Sequence, residues 1–377
     1  MMQFKLSELF ELNMGKTPTR NDSRYWQQGE NKWISIADLS KSGVYITETK
    51  EKITDIAVNE SGIRIIPTNT VIMSFKLSIG KTAIVPEPMY SNEAIMAFID
   101  KKLVPMTSKY IYYLLSAQKW DKGANKAVMG VTLNKATLSN YVISIHDTDI
   151  QSEIVKKLDA ITELIAFRST QLQELDRLVK SRFIEMFDGQ NYPIVCISDV
   201  VEKVPSVKRV FSETDEIRYI DISSIDNGRN VITGFTEYIL SEAPSRAQQH
   251  IRFGDILVST VRPNLKNVAM TTYSDENLVA SSGFCVLRAK KCLPSYLLSV
   301  VCSDQFTDAM VAVVTGANYP AIKDSDVLGY KIPLPPNELQ EQFATFVEQV
   351  DKSKFEIQKS LEELEILKKS LMQQYFG

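Results

Sequence analysis

The chain is 377 residues long, 44% hydrophobic and 24% charged, with a formal net charge of -3, the profile of an ordinary globular protein with room for two cores. That balance argues against wholesale coating of nucleic acid but leaves room for a local basic face, since only the charges near phosphates set affinity. No run approaches the ~18 apolar residues of a membrane span, the opening MMQFKLSELFELNMGK lacks a signal-peptide core, and Cys196, Cys285, Cys292 and Cys302 form no C-x-x-C pair, so a reduced cytoplasmic protein without a metal site is expected.

In chain order, Trp33 to Leu39 (WISIADL), Gly62 to Phe75 (GIRIIPTNTVIMSF) and Thr82 to Val85 (TAIV) read as β-branched runs broken by Gly, Pro and Asn, hence short strands. Between the last two stands Gly80-Lys81-Thr82, the tail of a phosphate loop. Such a loop needs a further glycine where Phe75 stands, and a strand-to-helix setting instead of strands on both sides. The stretch is therefore expected to be a tight turn at Gly80 carrying Lys76, Ser78 and Lys81. A short helix follows in SKYIYYLLSAQKW, Ser108 to Trp120.

From Asp149 to Gly189 the pattern changes period. Leu158, Ile165, Leu172, Val179 and Met186 recur every seven residues, interleaved with Ile154, Ile161, Arg168, Leu175 and Arg182. This is a heptad seam. The second half then repeats the first: YIDISSI (Tyr219 to Ile225) lies over WISIADL, GDILVST (Gly254 to Thr260) over NTVIMSF, PSYLLSVVCSDQF over SKYIYYLLSAQKW, and ELQEQFATFVEQV over DIQSEIVKKLDAI. A second seam runs through Phe343, Val350, Ile357, Leu364 and Leu371, interleaved with Val347, Lys354, Leu361, Lys368 and Tyr375. Asn337 can cap it with Gln340 reaching back in a capping box, and Gly189 and Gly377 close the two helices. At 1.5 Å per residue, helices of about 38 residues span roughly 57 Å, too long for one small domain to bury.

The expected architecture is mixed α/β, with strand-rich domains at 1–148 and 190–336 and long helices at 149–189 and 337–377, the helices forming an antiparallel coiled coil with pseudo-twofold symmetry, against the plainer reading of two core helices each covered by its own domain. Catalytic material is scarce. His146 and His250 are the only histidines, too few for a histidine-based triad or metal site, and no G-x-G-x-x-G follows a strand. Asp38 with Glu48 and Lys50 has the loose outline of a nuclease set, against a solvated turn as the plainer reading.

Several segments carry a resemblance: GKTPTRNDSRYWQQGENKWISIADL, KLSIGKTAIV, GVTLNKATLSNYVISI and GANYPAIKDSDVLGYKIPLPPNELQEQFATFVEQVD. In their repeated order the chain resembles the DNA specificity subunit of type I restriction-modification systems, over essentially its whole length. The second copy departs by lacking the Gly-Lys-Thr-Pro and Tyr-Trp elements. The resemblance implies a subunit with no catalysis and no cofactor of its own, whose two target recognition domains each read one half of a bipartite double-stranded DNA target. Its long helices would act as a ruler of about 17 base pairs and dock two modification subunits, which methylate adenine with S-adenosylmethionine, while ATP-consuming restriction subunits complete the assembly. The other readings are a helical scaffold that binds proteins but no DNA, and a nuclease built on Asp38 and Glu48.

On that reading the DNA-facing loops hold Lys76, Ser78 and Lys81 in the first copy and Thr260, Arg262, Asn264 and Lys266 in the second, arginine and asparagine being suited to guanine and adenine. Lys16, Arg20, Arg24 and Tyr25, and Lys208, Arg209 and Arg229, are candidates for phosphate or stacking contacts. Thr132 and Asn134 match Asn318 and Tyr319 in position beside Gly130 and Gly316. A solvated hairpin or a purely structural turn is the alternative at each place.

Overall fold

The computed structural model describes residues 1–76, 78–120, 125–127, 130–316 and 320–377, with the backbone alone over 125–127 and 130–132. The chain forms two compact units, residues 1–169 with 359–377, and residues 170–358.

In the first unit an antiparallel four-stranded sheet has the order Phe10–Met14, Ile95–Asp100, Thr70–Ser74, Thr82–Val85, with Val71 opposite Phe98 and Ile72 opposite Ala83. A smaller sheet sets Asn31–Ile34 between Glu51–Ile53, antiparallel, and Tyr90–Ser91, parallel. Met2–Lys5 pairs with Val142–Ile145 just before the first long helix. The second unit repeats this plan. Val201–Glu202, Phe284–Ala289, Ile256–Ser259 and Val268–Met270 form the large sheet in the same order. Glu216–Ile220 lies between antiparallel Thr236–Ile239 and parallel Leu278–Ser281, and Ile194–Cys196 pairs with Lys331–Pro333. Two additions distinguish it: Ala247–His250 extends the smaller sheet, and Ile225–Asp226 with Val231–Ile232 makes a hairpin.

Both heptad stretches are single helices of 40 residues, Thr148–Phe187 and Asn337–Phe376. In the first unit Ile154 and Leu158 of the first helix enter the core that Leu371, Met372, Tyr375 and Phe376, at the end of the second, pack against. In the second unit Phe183 and Phe187 meet Phe343 of the second helix at 5.6 and 5.4 Å between ring centroids, and Lys354 pairs with Asp176 at 2.6 Å. Within each unit the helices thus run antiparallel. The helix starts differ from the capping box expected. Gln340 is fully buried; its Nε2 donates to the Pro335 carbonyl and its Oε1 accepts from the Leu293 amide, both at 2.8 Å. Gln151 does the matching work in the first unit, donating to the carbonyls of His146 at 2.8 Å and Pro105 at 3.1 Å. A buried amide that satisfies the chain entering a helix outweighs a solvated cap.

Candidate nucleic-acid interface

In the first unit the Gly15–Tyr25 segment is held by folding contacts. Gly15 is wedged against Ser91 and Asn92, where a Cβ would stand 2.2 Å from the Asn92 carbonyl oxygen, so only glycine fits. The Lys16 carbonyl accepts from Trp33 Nε1 at 3.1 Å, and its ammonium donates to the Ser61 carbonyl. Arg20 lies over Trp26 and Trp33, 4.1 and 4.7 Å from the ring centroids, and pairs with Glu51 at 2.6 Å. Arg24 grips Asp22 through two hydrogen bonds of 3.1 and 2.7 Å, with Glu60 at 3.6 Å. The Arg24 hydrogen bond holds the Asp22 carboxyl below its ordinary range. The Tyr25 hydroxyl donates to Glu60 at 2.8 Å. Sequence alone shows four DNA-seeking side chains here; the fold gives each a protein partner.

The opening between the two hairpin strands runs from Phe75 to Lys81, longer than the tight turn expected. Phe75 is buried, its amide donates to the Ala94 carbonyl at 3.0 Å and its carbonyl accepts from Leu133 at 3.2 Å, so the chain stays in the frame one residue further before it can turn. Buried Ser74 then closes the loop: its Oγ donates to the Ser78 carbonyl and accepts from the Lys81 amide at 3.1 Å. Gly80, at φ +88°, faces Trp120. Ser78 and Lys81 are exposed and Lys76 is half-buried; neither lysine has an ion pair among the described residues. Asn134 caps the helix Lys135–Asn140, accepting from Thr137 at 2.8 Å. The Thr132 side chain, and Asn318 and Tyr319, lie outside the described residues.

The second unit repeats the frame with different side chains. The Thr260 amide donates to the Gly283 carbonyl and its carbonyl accepts from Ile322, each at 2.9 Å, as Phe75 does with Ala94 and Leu133. Thr260 is therefore buried, its hydroxyl donating to the Gly283 carbonyl at 3.0 Å, where the DNA-facing reading expects an exposed side chain. Arg262 takes φ +50° and Lys266 φ +53°, flanking the 3-10 turn Pro263–Leu265, and the Arg262 amide donates to the Pro320 carbonyl at 2.8 Å. Arg262 and Asn264 are exposed, without a side-chain partner among the described residues. Lys266 instead pairs with Asp304. The Arg229 turn is tied to the same loop, because Asn227 Nδ2 donates to the Leu265 carbonyl at 2.7 Å and Asn230 Nδ2 to that of Val268 at 3.0 Å. Arg229, Arg262 and Asn264 so belong to one loop cluster. Lys208 and Arg209 are exposed on a separate 3-10 turn.

The family model for the type I restriction modification DNA specificity domain matches residues 1–177 and again 190–366. The chain belongs to this family. Its specificity domains are similar to those of the MjaIX type I restriction enzyme specificity subunit of Methanocaldococcus jannaschii, 24% identical over 403 residues, covering 98% of this chain and 90% of that one. A chain solved in work on assembly and conformational transition of the type I R-M system shares the fold at TM-score 0.57 and 17% identity, covering 98% of this chain and 96% of the other. The crystal structure of the type I S subunit from M. genitalium does so at TM-score 0.53 and 12% identity, covering 100% and 96%.

Around the specificity-domain loops the acid set weighed as a nuclease has structural partners. Asp38 caps its helix, Oδ2 accepting from the Ser35 amide at 2.9 Å and hydroxyl at 2.7 Å, and Glu48 pairs with Lys32 at 3.2 Å. No group of three His, Cys, Asp or Glu side chains suited to a metal occurs among the described residues, and no helix among them is long and apolar enough to cross a membrane. Two exposed residues escaped the sequence reading: Glu93, on the turn that receives Phe75, and Arg246, which precedes the strand Ala247–His250 and whose carbonyl accepts at 2.8 Å from Ser282, the counterpart of Glu93. Laying EAIMAFI over SGFCVLRA would have pointed to both turns.

Proposed function

We propose that this chain is the DNA-reading subunit of a type I restriction-modification complex, each unit reading one half of a two-part double-stranded target while partner subunits carry out methylation and cleavage. The observation that carries the reading is the double match to the DNA specificity domain, the sheets of the two copies lying in separate units on a common backbone frame. Equivalent loops with unlike side chains are what two readers of different sequences need. Arg229, Arg262 and Asn264 serve the second half-site, with Lys208 and Arg209 on phosphates; Lys76, Ser78 and Lys81 serve the first.

The modification subunits dock on the long helices, where Phe167 and Ile366 in the first unit and Phe355 in the second expose 58%, 69% and 68% of their surface. Beside Phe355 an apolar groove is lined by Met270, Ala344 and Val347. Selection from a pool of random duplexes tests the proposal: the chain with its co-expressed partners retains a two-part consensus, with affinity falling steeply as salt rises. Comparing methylomes of cells with and without the gene yields the same motif. A helical scaffold would give neither result.

A further inference from the structure

The turn at Ser91–Ile95 of the first unit is built as firmly as the loop beside it. Asn92 Oδ1 accepts from the Ala94 amide at 3.0 Å, its carbonyl accepts from Ile95 at 3.2 Å, and the Ala94 carbonyl takes the Phe75 amide at 3.0 Å. On the other side Gly15 and Lys16 bond their amides to the Ile95 and Ser91 carbonyls at 3.1 and 2.8 Å. At the tip stands Glu93, exposed. Its Oε2 accepts from the Thr17 hydroxyl, its own backbone amide also bonds to the carboxylate, and no ion pair engages it among the described residues. The Thr17 hydrogen bond, helped by the residue's own backbone amide and then by the fields of Lys76 and Arg20, keeps the carboxyl below its ordinary range.

A fixed carboxylate on a surface meant for a polyanion weakens binding to every sequence through phosphate repulsion. It becomes useful where it accepts from a base, and in the major groove its partner is the cytosine N4 amine. The second unit makes the same point by contrast. Its turn holds the same frame, Gly283 receiving Thr260 at 2.9 Å, but the residue beside Gly283 is the small neutral Ser282. Backbone kept and side chain changed is the pattern of a reading position.

Resting on the function proposed above, we propose that Glu93 is a base-reading residue of the first unit, its exposed carboxylate accepting from the exocyclic amine of one cytosine in that half of the target.

The test is duplex selection with the full chain and its partners, comparing wild type, Glu93→Ala and the near-isosteric Glu93→Gln. Glu93→Ala relaxes one cytosine position of one half-site by about tenfold or more, leaves the other half unchanged and binds random duplex more tightly; Glu93→Gln, whose amide oxygen still accepts, also binds random duplex more tightly but relaxes that position less. Replacing that cytosine with 2-pyrimidinone, which lacks the amine, then weakens wild type by a similar factor and Glu93→Ala not at all. A wild-type consensus that both variants preserve at every position overturns the assignment. So does a uniform loss over all sequences, which marks Glu93 as a clamp for Thr17, or indifference of wild type to the missing amine. If wild type yields no consensus, the DNA-reading function falls and this inference with it.

Discussion

The two units share a skeleton and differ in how they treat charge. Phe75 and Thr260 make the same pair of backbone hydrogen bonds in their respective units, and Gln151 and Gln340 anchor the two long helices to matching carbonyls. Backbone amides are common to all residues, so a ladder survives divergence of the side chains hung on it. The candidate arginines do not match, while the lysines are mixed, Lys76 and Lys81 having no ion pair among the described residues and Lys266 having one. Arg20 and Arg24 of the first unit are bound to Glu51, Asp22 and Glu60, whereas Arg229 and Arg262 of the second have no ion pair among the described residues. Exposed ion pairs contribute only about 0–1 kcal/mol to folding, so this pairing matters less for stability than for what remains available to phosphate. The lesson is that repeated architecture does not imply repeated chemistry.

The strongest break between the units is Asp255 with Arg288, buried at 1% and 7% exposure and joined by bonds of 2.9 and 2.7 Å. The equivalent first-unit positions are Thr70 and Ile99. Asp255→Ala leaves a buried guanidinium uncompensated and should destabilise the second unit by about 3–5 kcal/mol. Hydrogen exchange resolved by segment checks it: protection falls in Ile256–Ser259 and Phe284–Ala289 and holds in Thr70–Ser74. The double variant Asp255→Leu with Arg288→Met recovers most of the loss. An equal loss in both units would mean that they do not unfold separately.

A smaller effect tests what the units share. Gln340→Ala orphans the Leu293 amide and the Pro335 carbonyl, at a cost of about 1–3 kcal/mol. Gln151→Ala removes only donated bonds, to Pro105 and His146, and should cost less. Midpoints of thermal unfolding for the two variants rank them.

Much of this plan is legible in the sequence. A heptad seam sustained over 40 residues admits one interpretation, and the copied order of segments reports two units before any strand pairing is known. What stayed hidden depends on partners distant along the chain. Arg24 looks like a phosphate contact until Glu60 is brought beside it, and Thr260 like a surface hydroxyl until Gly283 covers it. The left-handed conformation of Arg262, directly before a proline, follows from the Pro320 hydrogen bond and not from local preference. Glu93 carries the wrong sign for a phosphate contact, and only the turn that fixes it, distant in sequence from Phe75, sets it apart from other surface carboxylates.

At the level of binding, Arg262→Ala should weaken or relax recognition in one half-site by about tenfold if it reads a base, or lower the logarithmic salt slope by about 1 if it meets a phosphate, with subunit assembly intact. Arg24→Ala, already neutralised by Asp22, should change neither. Titrations of duplex at several salt concentrations separate the cases, and a larger effect from Arg24 than from Arg262 would reverse the contrast between the units.

The mildest contrast is in pH. His146 is buried, its Nδ1 2.9 Å from the Tyr110 hydroxyl and its ring against Phe376. Burial, with the N-terminal amine adding to it, lowers its pKa. Above the ordinary value of about 6.5 the ring is neutral both folded and unfolded, and the stabilisation is complete. Below it the unfolded chain binds the proton first, so stability is lost as pH falls toward the lowered folded value. The residue whose carbonyl plays the same part for Gln340 is Pro335, which cannot titrate. Acidification from about pH 7.5 to 5.5 should therefore reduce hydrogen-exchange protection of Val142–Ile145 more than that of its counterpart Lys331–Pro333, and His146→Gln should remove the difference. A pH response of equal size in both strands would place its origin elsewhere than in this ring.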